Sequence, residues 1–228
     1  MSSSVLADGA AVAIARDDDY FFGVLHSRPH ELWSLRMGTW LGVGNDPRYT
    51  PTTTFETFPF PWPPGEEPRP DLTGFGNLSG LEGPERVAAI AHWARALVAW
   101  RDAWLNPPPP AKGTLDVAYD RLIKARTLTN LYNGLVYYRA TRPDRSARAI
   151  SSGTSLERRP VRSHVPFDRA ALDKETRKSV SPAEIQELDD IHRALDSAVF
   201  RAYGWPDDLS DEAILERLLA LNLARAGR

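Results

Sequence analysis

Prolines divide this chain of 228 residues more sharply than any other feature of its sequence. Six of the twelve residues at 59–70 are proline, and four consecutive prolines occupy 107–110. Because proline fixes φ and lacks a backbone donor, neither stretch can run through a helix interior or a central strand. The first stretch is predicted to be extended and semi-rigid. We therefore expect a domain at 1–62, a Pro/Gly-rich linker at 63–83, and a second domain at 84–228.

The composition limits the class of protein. With 42% hydrophobic residues the chain can bury a core. The absence of cysteine excludes disulfides, thiolate zinc sites and a cysteine nucleophile. No apolar run approaches the roughly 18 residues that a membrane span needs, and the first residues lack the pattern of a signal peptide. We expect a globular, cytoplasmic protein without a membrane partner, whose net charge of −2 does not by itself indicate nucleic-acid binding.

The first part of the chain is predicted to mix short strands with one helix. Residues 11–15 are apolar and favour a strand, and the three aspartates that follow favour a helix beginning near Tyr20. Pro29 is expected to kink this helix or to sharpen a turn. Three glycines at 38–47 indicate a loop, and the threonines and aromatic residues of 49–60 indicate extended chain.

The second part is predicted to be helical. Pro84 opens a helix that ends at Asn106, before the four prolines, and a second long helix is expected over 115–140. Apolar residues spaced at three and four predict a third helix over 182–203, and Ser210 is expected to cap the last. The expected fold class is α+β, with a small mixed domain followed by a mainly α-helical unit.

The run at 48–61 combines one arginine, five threonines, three phenylalanines and three prolines, which a generic core strand does not need. Guanidinium forks fit guanine edges and hydroxyls reach phosphates or bases, so this run and the arginines before it predict a DNA-contacting surface. The phenylalanines, Phe55, Phe58 and Phe60, are expected to pack in a core. The candidate DNA-binding residues are Arg28, Arg36, Arg48, Tyr49, Thr50, Thr52, Thr53 and Thr54.

The run at 48–61 and the segment at 21–33 together resemble the carboxy-terminal part of type IIL/IIG restriction-modification enzymes, single chains that methylate adenine in DNA. The resemblance implies the end of a target-recognition domain continuing into a helical tail, with double-stranded DNA as a partner. It also implies that the loop at 39–47 helps to choose the base pairs read. On this reading the chain is a carboxy-terminal fragment or a separately encoded half. S-adenosylmethionine is then expected in a catalytic methyltransferase domain elsewhere.

No catalytic motif is assigned within the chain. Adenine methyltransferases hold the target base with an Asn-Pro-Pro-aromatic motif, but at 106–109 the fourth residue is Pro109, which has no ring to stack on a flipped base. The preceding residues favour helix where that motif needs a buried strand. A glycine-rich cofactor loop is also missing, since Gly42 and Gly44 are followed by Pro47 where the next glycine would stand. We therefore expect no cofactor and no catalytic residue in this chain.

Two further sequence patterns allow more than one interpretation. His26 and His30 have the spacing of zinc ligands on a helix, but Pro29 interrupts that face, so surface histidines without a metal are the favoured interpretation. Residues 139–178 hold eleven Lys or Arg against five acids, a net +6. This basic segment, centred on a loop near 140–178, either follows a phosphate backbone or is a solvated linker.

A different class of function stays open on the sequence alone. Extended Pro-rich chain and amphipathic helices are both common docking elements for partner proteins. The alternative to DNA recognition is therefore a non-catalytic protein-interaction module that uses the Pro-rich segment and the helical tail.

Overall fold

The structure, a computed structural model, describes residues 12–41, 46–69, 83–110, 117–141 and 180–227. Of these residues 68% are helical, and one two-stranded sheet accompanies the helices. The mixed class is thus confirmed in coarse form, with helices dominant. No helix in these ranges is long and apolar enough to cross a membrane. The elements are α1 Asp19–Leu25, α2 Arg28–Met37, β1 Thr39–Leu41, β2 Asp46–Arg48, α3 Pro51–Thr54, α4 Gly83–Leu105, α5 Val117–Ala125, α6 Leu128–Thr141, α7 Pro182–Tyr203 and α8 Asp211–Ala226.

Helix α1 begins where the aspartate run predicted. The Asp18 side chain caps it by accepting a hydrogen bond from the Phe21 amide at 2.8 Å. The predicted kink at Pro29 is a full break, since α1 ends at Leu25 and α2 starts at Arg28. Proline is tolerated in the first turn of a helix because the amide it lacks has no partner there.

The strands lie elsewhere than predicted. Residues 12–15, within the strand expected at 11–15, are not a strand. Inside the loop expected at 38–47, β1 and β2 pair antiparallel, with Trp40 opposite Pro47. The prediction of a loop is therefore wrong at 39–41 and 46–47, where the chain is extended and paired.

The threonine run forms a helical turn where extended chain was expected. The Thr50 carbonyl accepts hydrogen bonds from the amides of Thr53 and Thr54 at 3.0 and 2.8 Å. Pro51 occupies the first helical position of α3, where its fixed φ is already suitable. The prediction for 49–60 is therefore wrong at 51–54, because proline and local hydroxyl bonds outweigh the strand propensity of threonine.

Helices α4, α7 and α8 begin or end where the sequence predicts. Helix α4 ends at Leu105, and Asn106 separates it from the four prolines. Helix α7 opens with a capping box between Ser181 and Glu184 and ends at Gly204, whose φ of +73° favours glycine. Ser210 caps α8, as predicted.

The helix predicted over 115–140 is two helices, α5 and α6. The break falls at Arg126 and Thr127, where the Thr127 hydroxyl accepts from the Asn130 amide at 3.1 Å. The Arg126 guanidinium donates to the Trp104 carbonyl at 2.6 Å and to Glu184 at 3.0 Å. This interruption depends on tertiary contacts with α4 and α7, which apolar spacing does not reveal.

One buried cluster of apolar side chains joins both sides of the predicted linker. Phe60 stacks on Phe21 with ring centroids 4.8 Å apart, so the predicted packing role of the phenylalanines is confirmed. A Cβ on Gly23 would lie 2.7 Å from the Ile90 side chain, which shows how closely α1 approaches α4. The Tyr203 hydroxyl donates to the Pro59 carbonyl at 2.9 Å. The division into two domains stays a prediction, and residues 70–82 of the linker lie outside the described ranges.

Candidate nucleic-acid interface

Helix α2 carries two of the candidate arginines, one in its first turn and one in its last. Arg28 is the first helical residue, and Arg36 lies in the final turn beside the start of the β1–β2 hairpin. Both were predicted to contact DNA on the same grounds. The structure gives them different surroundings.

The Arg28 side chain is held by two carboxylates. Its Nη2 and Nε donate to Asp211 at 2.6 and 3.3 Å, and its Nη1 donates to Glu31 at 2.7 Å. Burial opposes the charge, but these carboxylates outweigh it and raise the pKa of Arg28 above its ordinary value. Arg28 thus fastens α2 to the first turn of α8.

The amide of Arg28 has a partner from α7. The Ser27 side chain does not cap α2, because its hydroxyl donates to the Val24 carbonyl at 2.6 Å. Instead, Asp196 accepts a hydrogen bond from the Arg28 amide at 2.7 Å. Burial raises the pKa of Asp196 to about 7, although this bond lowers it. The start of α2 is therefore fixed by both α7 and α8.

His30 and Tyr49 face each other inside the protein. The His30 ring donates from Nδ1 to the Leu25 carbonyl at 3.0 Å, so its Nε2 accepts from the Tyr49 hydroxyl at 3.1 Å. Burial lowers the pKa of His30 to about 4 and raises that of Tyr49. The expectation of a surface histidine is wrong for His30, which is buried because α2 packs its inner face against Phe58.

His26 does not share a helical face with His30. It follows the end of α1, stacks on Phe22, and its Nδ1 bonds the Phe22 carbonyl at 3.0 Å. Burial lowers its pKa. The two rings each bond a backbone carbonyl, and the described residues contain no group of three potential metal ligands.

Most of the threonine hydroxyls bond within the turn that contains them. Thr53 and Thr54 donate to the Thr50 carbonyl at 3.3 and 2.8 Å. The Thr50 hydroxyl lies 3.1 Å from that of Thr39, which ties α3 to β1. Thr52 is the exposed member of the set.

The exposed residues of this region form what we term the hairpin corner, at the end of α2, along β1 and β2, and on α3. Met37 and Trp40 are 38% and 37% exposed, and Arg36 and Arg48 are also exposed. Trp40 and Met37 were not among the sequence candidates, because nothing in the local pattern distinguishes an exposed tryptophan from a core one. The hairpin corner consists of Arg36, Met37, Thr39, Trp40, Arg48 and Thr52.

The structure therefore divides the predicted set. Arg36, Arg48 and Thr52 are exposed, on the consecutive elements α2, β2 and α3 of the hairpin corner. Arg28 and Tyr49 bond to other side chains of the protein, so a DNA contact from either would have to replace an existing hydrogen bond. Thr50 and Thr53 contribute to the turn beneath the corner.

A second group of polar residues lies between α4, α6 and α7. Arg101 donates to the Tyr132 hydroxyl at 3.3 Å, and that hydroxyl lies 3.0 Å from Nε2 of His192. Burial and the nearby Arg139 and Arg101 lower the pKa of His192 to about 4. The neutral ring therefore accepts from Tyr132, and the group joins three helices by hydrogen bonds.

Two other sequence features are the residues at 106–109 and the basic segment. Asn106 follows the end of α4, where its side chain donates to the Asp102 carbonyl at 3.1 Å, and the Pro107 carbonyl accepts from Tyr119 at 3.0 Å. The prediction of a helix stop at 106–109 is confirmed. The basic segment lies mainly at 142–179, outside the described residues.

Comparison with known protein families, with curated proteins and with solved structures gives no match. The resemblance to adenine-methylating restriction-modification enzymes thus rests on the sequence motifs alone.

Proposed function

We propose that this chain is a DNA target-recognition fragment or subunit of a site-specific adenine DNA methyltransferase of the restriction-modification type. It contributes no catalytic group of its own and works with a catalytic domain that binds S-adenosylmethionine. The observation that carries the proposal is the hairpin corner, in which Arg36, Arg48, Thr52 and Trp40 are all exposed.

The shape of this corner suits a duplex. A two-stranded β-ribbon fits the major groove of B-DNA, where an arginine fork can bond the two acceptors of guanine. Arg48 ends β2 of such a ribbon, and Arg36 precedes it on α2. A hydroxyl such as that of Thr52 is suited to a phosphate oxygen, which sets position and carries no sequence information.

The scaffold behind the corner is tightly packed. Trp33 is buried and its Nε1 donates to the Thr57 hydroxyl at 3.2 Å. Phe58 packs edge-to-face on the His30 ring, with centroids 4.8 Å apart. A fixed backbone reduces the ordering entropy that would otherwise weaken DNA binding.

The proposal is tested with a fluorescent duplex library and the purified chain, alone and with a catalytic methyltransferase partner, at 50 and 200 mM salt. The double variant Arg36→Gln/Arg48→Gln should weaken binding at least tenfold at the lower salt. A matched control, Arg121→Gln/Arg217→Gln, removes the same charge from exposed positions on α5 and α8. Equal losses in both variants, or no binding at 50 mM salt in either setting, would refute the proposal.

One observation favours a protein-interaction module as the second candidate. On α8, Leu219 and Leu223 are 50% and 61% exposed and lie one turn apart. A partner that stays bound after nuclease treatment, is unaffected by Arg48→Ala and is lost with Leu219→Gln/Leu223→Gln would support this candidate over DNA recognition.

The start of the Pro-rich segment gives that candidate less support. Arg225 on α8 donates to the carbonyls of Phe60 and Pro61 at 2.6 and 3.1 Å. Acceptors that an extended ligand would offer to a partner are thus already bonded within the chain at these positions.

A further inference from the structure

Gly38 lies at the junction of α2 with the β1–β2 hairpin. It directly follows the last residue of α2, its amide donates to the Ser34 carbonyl at 2.9 Å, and the next residue begins β1. In the antiparallel ladder Thr39 pairs with Arg48, so the end of β2 lies beside this junction. Residue 38 therefore separates the last turn of α2 from the end of β2.

No side chain fits at this position without a movement of the backbone. A Cβ on Gly38 would lie 2.6 Å from the Ser34 carbonyl oxygen and 2.9 Å from the Arg48 carbonyl oxygen. Both are backbone atoms, so the rotation of a side chain cannot relieve the contact. The φ of Gly38 is −72°, which any residue adopts, so glycine is needed here for space and not for conformation.

The same junction packs against α3. The Thr39 hydroxyl lies 3.1 Å from that of Thr50. The buried Thr54 donates to the Thr50 carbonyl at 2.8 Å, and its methyl group would lie 3.6 Å from a Cβ at position 38. A residue larger than glycine would therefore have to shift β2 or the end of α2 within a packed junction.

A shift of β2 would move Arg48, its last residue. The Arg48 side chain is exposed, and a guanidinium fork bonds the two acceptors of guanine only in one geometry. Recognition geometry has to be held within about 0.5 Å. Moving the Arg48 carbonyl from 2.9 Å to the 3.4 Å of an ordinary contact with a Cβ requires a displacement of that size.

We propose that Gly38 is the positioning residue of the hairpin corner. Because it has no side chain, β2 lies against the end of α2, and the contact between Thr39 and Thr50 holds the hairpin in that place. Gly38 acts through Arg48 and determines how well the chain discriminates base pairs, as distinct from how tightly it binds any duplex. This inference rests on the proposed DNA recognition.

Gly38→Ala tests this role, with Gly227→Ala as the matched control, because a Cβ at 227 would have no neighbour nearer than 3.7 Å. Each full-length variant is titrated with the preferred duplex and with one changed at the base pair whose preference Arg48→Gln removes. The ratio of the two affinities should fall at least about fivefold in Gly38→Ala, which corresponds to the loss of one bidentate contact. It should stay unchanged in Gly227→Ala.

The salt dependence separates positioning from a general loss of structure. Gly38→Ala removes no phosphate-contacting cation, so the slope of log affinity against log salt should be unchanged. An unchanged affinity ratio, or equal weakening on both duplexes, would overturn the inference and leave the proposed function intact. If the unaltered chain binds no duplex, the proposed function fails, and the role of Gly38 fails with it.

A variant that keeps the glycine covers the case in which Gly38→Ala does not fold. Thr39→Val retains the shape of the side chain and removes its hydrogen bond to Thr50. It should also lower the affinity ratio at an unchanged salt slope, because β1 is then held less firmly to α3. The same ratio in Thr39→Val as in the unaltered chain would then overturn the inference.

Discussion

The two ends of α2 carry the same type of side chain in opposite circumstances. At the first turn, Arg28 is bonded to Glu31 and Asp211, and its amide is bonded to Asp196. At the last turn, Arg36 is exposed beside the hairpin. An arginine near a recognition motif is thus as readily a structural tie as a DNA contact, and its tertiary partners decide which.

A substitution in the middle of α2 should have the largest effect on the free energy of unfolding, because this part of the helix anchors both of its ends. Trp33 is 2% exposed and bonds Thr57. Trp33→Ala should lower the free energy of unfolding by about 3–5 kcal/mol, from lost burial and the remaining cavity. Urea denaturation followed by circular dichroism measures it, with Trp33→Phe as a milder control. A loss under about 1 kcal/mol would mean that α2 is not anchored in this way.

The buried His30 should make the inner face of α2 sensitive to acid. Its pKa is about 4 in the folded protein and near 6.5 when unfolded, so below pH 6.5 the unfolded chain takes up a proton first. Stability is full above pH 6.5 and is lost as pH falls toward 4, by about 3 kcal/mol for this group.

His192 has the same shift, so a variant is needed to isolate His30. Unfolding free energies at pH 7 and pH 4.5 should differ less in His30→Asn than in the unaltered chain. An identical pH dependence in the two proteins would show that His30 is not the titrating group.

Removing Arg28 should lower the free energy of unfolding by less than the two changes above. Its side chain is about one-third exposed, and solvent screens its ion pairs. Arg28→Ala should lower the unfolding free energy by about 1–2 kcal/mol, through the loss of two partly exposed ion pairs and of the packing of its aliphatic stem. Arg36→Ala is the matched comparison and should change it by less than about 0.5 kcal/mol. Similar losses in both variants would remove the distinction between the two ends.

The smallest expected effect is on DNA binding, in which the two ends of α2 should differ. Each phosphate-contacting cation contributes about one to the slope of log affinity against log salt. Arg48→Gln, which removes the proposed base contact, should relax the sequence preference, and Arg36→Gln should reduce that slope by about one, whereas Arg28→Gln should change neither. A reduced slope in Arg28→Gln would show that the ion pair with Asp211 opens on DNA.

The sequence predicted the features that depend on local chemistry. The Asp18 cap, the stop of α4 before the prolines, the start of α7 and the Ser210 cap all follow from residues within one turn of the element. The threonine run was misjudged because Pro51 and the hydroxyls favour a turn over the strand preference of threonine.

The candidate site was less accessible to sequence reasoning. Asp196 bonds Arg28 across 168 positions of the chain, and no periodicity reports such a partner. The exposure of Trp40 likewise depends on how the hairpin lies against α2. Residue type selected plausible arginines, and only the fold distinguished Arg36 from Arg28.

Side chains of α8 donate hydrogen bonds to backbone carbonyls in the first part of the chain. Asn222 donates to the Thr57 carbonyl at 2.6 Å, and Arg225 to that of Phe60 at 2.6 Å. Each contact spans 165 positions, so closing it carries the entropy of a long loop. During synthesis the amino-terminal segment emerges long before these partners do. It therefore stays incompletely packed until α8 has also emerged from the ribosome.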